Sequence, residues 1–221
     1  MKFFLDTANL EEIKKIKSIG MLDGITTNPS LISKENIYNE NDVKKHYISI
    51  CKLLDEGKYL SVEVISTDYH NIINEAKKLS ILDPNKIVIK VPMTIDGIKS
   101  IQFFSKKKIK TNCTLIFSVG QALLAAKSGA YYISPFLGRL DDISYNGLKL
   151  IEEIKKVFFN FNFKTKILAA SIRNPIHIIE CAKIGIHAIT TPINTIYSLF
   201  NHPMTNIGLN KFLEDYKKKI K

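Results

Sequence analysis

Apolar residues recur along the chain in two alternating rhythms. Short runs rich in Val, Ile and Phe punctuate segments in which apolar positions return every three or four residues. The short runs read as strands: KFFLD (2–6), GITTN (24–28), LSVEVI (60–65), KIVIKVP (86–92), TNCTLIF (111–117), YYISPF (131–136), KILAAS (166–171) and HAITT (187–191). The segments between them carry helix punctuation. Asn9 with Glu12, and Ser118 with Gln121, have capping-box spacing; Asn174-Pro175 offers a cap and a first-turn proline; Gly20, Gly57, Gly129 and Gly185 mark helix ends. Eight β-α units predict an α/β fold, a single (β/α)8 barrel spanning 1–221. A doubly wound open sheet is the alternative, but no Gly-rich phosphate loop follows the first strand. The stretch 208–221, with Leu209, Phe212, Leu213 and Tyr216 on one side, predicts an extra C-terminal helix that caps the barrel or packs on a neighbouring subunit.

The strand pattern has one anomaly. Lys90 stands inside the run Ile87, Val88, Ile89, Val91, where a buried ammonium without partners costs several kcal/mol. In a barrel, chemistry sits at the C-terminal strand ends, and alternation gives the inward face. With Lys90 inward beside Val88 and Pro92, the other strands offer Asp6, Thr26, Asn28, Glu63, Asn112, Thr114, Ser134, Phe136 and Ser171. A packed core does not need so many polar strand ends. Plainer readings exist for each: Lys90 as half of a structural ion pair with Asp6 or Glu63, the hydroxyls as partners of the backbone, Phe136 as packing.

Charge adds a second anomaly. The formal net charge is +11, yet the lysines are spread over helix faces and ends (EEIKKIK, SKKKIK, EEIKKVF, YKKKIK), as on solvated surfaces, which argues against nucleic-acid binding. Of 32 basic residues only Arg139 and Arg173 are arginine, and both fall in the loops just beyond strands six and seven, where such barrels hold phosphate. Cys51, Cys113 and Cys181 are odd in number and set among apolar residues, which predicts buried free thiols. No His/Cys spacing suits a metal site. No apolar run reaches membrane-span length, and Asp6 interrupts any signal-peptide core, so a cytoplasmic protein is expected.

Together these residues suit one chemistry. A desolvated lysine attacks a carbonyl to form a Schiff base, a carboxylate moves protons as a carbon–carbon bond breaks, and two arginines with a serine hold a phosphate. No metal is required, because the protonated imine is the electron sink.

The motifs FLDTAN, GITTNPSLI, IVIKVPMT, TNCTLIFS, SPFLGRLDD and AASIRNP, in this order at successive strand ends, resemble the transaldolase family, in particular its short members. The resemblance implies a Schiff base on Lys90, Asp6 taking the proton from the C4 hydroxyl, and Glu63 with Thr114 holding a proton-shuttling water. It further implies that Asn28 and Ser134 hold the three-carbon dihydroxyacetone unit and that Arg139, Ser171 and Arg173 bind phosphate. The unit would pass from sedoheptulose 7-phosphate to glyceraldehyde 3-phosphate, giving erythrose 4-phosphate and fructose 6-phosphate, with no cofactor. The related fructose-6-phosphate aldolases typically have glutamine and tyrosine where this chain has Glu63 and Phe136. That pair therefore favours transfer over aldol cleavage to free dihydroxyacetone. Short family members form ring-like homo-oligomers, often decamers. A non-catalytic basic binding protein is the remaining alternative, supported by net charge alone.

Overall fold

The computed structural model describes residues 1–37 and 39–219. Eight parallel strands close on themselves in sequential order: β1 (Lys2–Asp6), β2 (Gly24–Thr26), β3 (Tyr59–Glu63), β4 (Ile87–Pro92), β5 (Thr111–Ile116), β6 (Tyr132–Pro135), β7 (Lys166–Ala169) and β8 (Ala188–Thr191), with β8 pairing β1. The (β/α)8 barrel is therefore the fold, and every expected strand forms. The outer helices are α1 (Leu10–Ser18), α3 (Glu40–Leu53), α4 (Tyr69–Ser80), α5 (Ile95–Lys106), α6 (Val119–Lys127), α8 (Gly147–Asn160) and α9 (Pro175–Ile184). Short helices α2 (Pro29–Ile32), α7 (Leu137–Asp141) and α10 (Ile193–Ser198) follow β2, β6 and β8 directly.

Two apolar layers result from strand alternation. Outward residues such as Leu5, Ile25, Val62, Ile89 and Ile133 join helix residues such as Ile13, Ile50, Ile72 and Ile101 in the large core between sheet and helices. Inward residues Phe4, Val88, Tyr132, Leu168 and Ala188 form a smaller plug inside the barrel. A side chain on Gly24 would collide with the Phe4 ring, so glycine there lets phenylalanine fill the barrel floor. Over this plug the inward positions turn polar, which places the site at the strands' C-terminal ends.

The helix ends follow the expected chemistry with two corrections. Asn9 caps α1, but its carboxylate partner does not reach back to Asn9: Glu12 accepts from the Thr7 hydroxyl instead. Gln121 likewise accepts from the amide of Phe117 rather than that of Ser118. Asn174 caps α9 at the His177 amide, and Gly185 closes that helix at φ +78°, a left-handed conformation suited to glycine. Cys51, Cys113 and Cys181 are free and buried, and burial pushes each thiol up to about 12.

The expected C-terminal helix begins earlier than 208 and runs as α11 (Pro203–Lys219); its last two expected residues, 220 and 221, lie outside the described residues. None of its described residues is buried, and Leu209, Phe212, Leu213 and Tyr216 are all exposed. Among the described residues no helix is long and apolar enough to cross a membrane. Many lysines pair with a carboxylate one turn away, as Lys14 does with Glu11, Lys44 with Glu40 and Lys183 with Glu180.

Candidate active site

A cavity of about 620 Å³ opens at the C-terminal ends of the strands, and Asp6, Asn28, Glu63, Lys90, Ser134, Phe136, Arg139, Ser171 and Arg173 all line it. These residues come from β1, β3, β4 and β6 and from the segments after β2, β6 and β7. Barrel closure is what brings them together.

Lys90 occupies the inward face of β4 above Val88 and is 5% exposed. Its Nζ lies 2.9 Å from Glu63 Oε2 and 3.2 Å from the carbonyl oxygen of Thr27. The buried ammonium is thus paired, as the plainer reading allowed, and the partner is Glu63. Buried pairs of this kind contribute little net stability, since desolvation offsets the attraction. The pair also sits directly in the cavity wall, so a carbonyl compound entering the barrel meets the lysine and its proton acceptor together.

Asp6 ends β1. Thr26 Oγ1 donates to Asp6 Oδ1 at 2.6 Å and lies 2.6 Å from Thr190 Oγ1. Burial pushes the Asp6 carboxyl above the usual carboxylate range, against smaller lowering by the Thr26 hydroxyl and by the charges of Lys90 and Lys34. A carboxylate that binds a proton more readily than usual is suited to accepting one from a sugar hydroxyl.

Asn28 does two things. Strand β2 stops at Thr26 because Asn28 turns to cap α2, its Oδ1 accepting from the Leu31 amide at 3.0 Å. That leaves its amide NH2 for the cavity. Ser134 donates to Asn112 Oδ1 at 2.9 Å, and Asn112 Nδ2 approaches Ser61 Oγ at 3.4 Å. The Ser134 oxygen can then accept from a substrate hydroxyl.

Both arginines line the same cavity. Arg139 belongs to α7 and not to a loop as expected, because the chain turns helical immediately after Phe136. Its guanidinium stacks over the Phe136 ring at 4.9 Å. Arg173 Nη2 is 2.7 Å from Asp142 Oδ2, which holds its exposed fork in place. A side chain on Gly138 would strike the Ser171 carbonyl and Arg173, so the small residue lets α7 and the β7 loop close on each other. Ser171 adopts φ +59°, outside the strand that was expected to include it.

Thr114 lies on the inward face, in register with Pro92 and so on the same face as Lys90; it is fully buried, and its hydroxyl has no hydrogen-bond partner among the described residues. The register of β5 against β6 shifts between Cys113 and Ile116, and Leu115, at φ +59°, turns into the cavity wall. Further lining residues that were not singled out include Thr190, Lys34 and Leu115. Thr190 was legible as the inward position of β8 by alternation with Ala188, whereas the other two carry no local signal. Among the described residues no group of three or more His, Cys, Asp or Glu side chains could hold a metal ion.

Comparison with known proteins adds a family. A family profile described as Transaldolase/Fructose-6-phosphate aldolase matches residues 3–221. A Cytophaga hutchinsonii protein described as "Probable transaldolase" is 56% identical over 218 residues, covering 99% of both chains. A Bacteroides thetaiotaomicron protein so described is 55% identical with the same coverage, and one from Syntrophobacter fumaroxidans is 52% identical over 99% of this chain and 97% of its own.

Proposed function

The chain belongs to the transaldolase/fructose-6-phosphate aldolase family, and on that premise we propose that it is a transaldolase using Lys90 as its Schiff-base lysine. The observation that carries this reading is the Lys90–Glu63 pair at 2.9 Å in the wall of a cavity that Arg139 and Arg173 also line. Its substrates are phosphorylated sugars: a ketose donor such as sedoheptulose 7-phosphate and an aldehyde acceptor such as glyceraldehyde 3-phosphate.

Lys90 passes a proton to Glu63 and attacks the ketose C2 carbonyl. Loss of water, moved by Glu63 and the Thr114 hydroxyl through a bridging water, gives the imine. Asp6 takes the C4 hydroxyl proton, the C3–C4 bond breaks, and its electron pair moves into the protonated imine to give an enamine. The shortened aldose phosphate leaves. The enamine then attacks the acceptor aldehyde, Asp6 returns its proton to the new hydroxyl, and water releases the product from Lys90. Asn28 and Ser134 hold the hydroxyls of the three-carbon unit, while Arg139, Ser171 and Arg173 hold the phosphate. Phe136 offers no hydroxyl with which to protonate the enamine, so the intermediate waits for an acceptor.

The barrel is a single domain, and α11 docks through its exposed apolar residues on a neighbouring copy in a homo-oligomer, a decamer by the resemblance described above. Buried free cysteines suit a reducing, cytoplasmic setting.

The deciding assay supplies fructose 6-phosphate and follows glyceraldehyde 3-phosphate with a coupling enzyme. Release only when erythrose 4-phosphate is present is the expected result. Release without an acceptor would make the protein an aldolase, and no release either way would overturn the reading.

A further inference from the structure

The hydrogen bonds behind Asp6 have a direction that chemistry dictates. Thr26 has one hydroxyl proton, and it is donated to Asp6 Oδ1 at 2.6 Å. The 2.6 Å contact between Thr26 and Thr190 must then run the other way, with Thr190 donating to Thr26. The three groups come from β1, β2 and β8, which are adjacent in the closed barrel, and both threonines are almost fully buried. Water has little access to the Thr26 oxygen, so Thr190 decides which way its proton points. With Oδ1 engaged in this way, and no donor within hydrogen-bond range of Oδ2 among the described residues, Oδ2 is the oxygen left free to take a proton in the cavity that Asp6 lines.

We propose that Thr190 is a positioning residue for the Asp6 base, acting through Thr26: its hydroxyl fixes the Thr26 proton on Oδ1, favours the carboxylate form and reserves Oδ2 for the substrate C4 hydroxyl. The proposal rests on the assignment of Asp6 and Lys90 made under Proposed function. A donor that is itself accepting a hydrogen bond is the stronger donor, and bonds to an ionised acceptor gain most from this. The chain Thr190–Thr26–Asp6 therefore opposes the burial that pushes Asp6 upward. Other groups also face Asp6: Lys90 from β4, itself paired with Glu63 of β3, and Lys34 from the segment after α2. None of them is changed by a substitution at Thr190, so a shift in pH dependence on that substitution reports the threonine chain.

The test compares Thr190→Val, Thr190→Ala and Thr190→Ser with the parent. Valine keeps the shape of threonine, and alanine gives a second hydroxyl-free variant should valine fold poorly. Three readouts are taken: the pH profile of kcat, the single-turnover rate of sugar cleavage, and borohydride trapping of the imine on Lys90. Removing the hydroxyl is expected to slow cleavage roughly three- to tenfold and to move the acid limb of the profile up by about half to one pH unit, the range of a single neutral hydrogen bond. Trapping on Lys90 should proceed at the parental rate, and Thr190→Ser should restore both limb and rate. An acid limb left in place in the hydroxyl-free variants, or a serine variant as impaired as they are, overturns the proposal and leaves Thr190 a packing residue. Failure of the parent protein itself to trap on Lys90 overturns the functional reading first, and the role of Thr190 with it.

Discussion

Replacing Lys90 by methionine removes the ammonium and leaves the Glu63 carboxylate facing an apolar chain. The two groups are 2.9 Å apart with side chains 6% and 17% exposed, so at an effective dielectric near 20 their gross attraction is about 6 kcal/mol. Desolvation of each ion costs several kcal/mol, which offsets most of that attraction. Removing one partner forfeits the attraction without refunding the other's desolvation, so Lys90→Met alone should lose roughly 3 kcal/mol, the lower end for a broken buried pair because Glu63 keeps some contact with the cavity. For a chain of this length that is a fall in Tm of about 6–12 °C. Adding Glu63→Gln removes the stranded charge, and the double variant should return to within about 1 kcal/mol of the parent while remaining inactive. Chemical denaturation of the parent, both single variants and the double variant measures the coupling, and the transfer assay measures activity in the same samples. A double variant less stable than Lys90→Met would refute the argument that the pair serves chemistry and not stability.

The pH dependence of stability tests Asp6. Its pKa is raised in the folded state by burial, so its contribution is favourable below the unfolded value and is lost as pH rises through the folded one. Asp6→Asn should therefore melt higher than the parent at neutral pH, with the advantage shrinking as acid protonates Asp6 in the parent; an advantage independent of pH would show that burial of the charge is not its source. At the phosphate end, Arg173→Lys replaces a planar fork with a point charge and should raise the KM for phosphorylated sugars by about tenfold with kcat little changed, and an unchanged KM would remove Arg173 from the binding site.

Much of this protein is legible in its sequence. The eight strands follow from short apolar runs separated by capped helical segments, because a parallel strand covered on both faces must be apolar nearly throughout. That same rule made Lys90 conspicuous. The scarcity of arginine made Arg139 and Arg173 conspicuous in the same way, and alternation put Asp6, Glu63 and Ser134 on the inward face. These are local signals, carried by period and by rarity.

What local pattern did not reveal is which polar group touches which. Lys90 could have paired with Asp6 or with Glu63, and the choice depends on the register of β4 beside β3, where Glu63 and Lys90 are partners. Alternation puts Thr114 inward, and its pairing with Pro92 agrees, but the break in β5–β6 register also brings Leu115 into the cavity wall, and nothing in TNCTLIF announces that bulge. The link from Thr190 to Thr26 joins residues 164 positions apart. It exists because β8 pairs with β1 and closes the sheet. Strand period is a property of neighbouring residues and is written in the sequence. Contacts across a closed barrel depend on how strands from all parts of the chain are staggered, and only the tertiary structure settles that stagger.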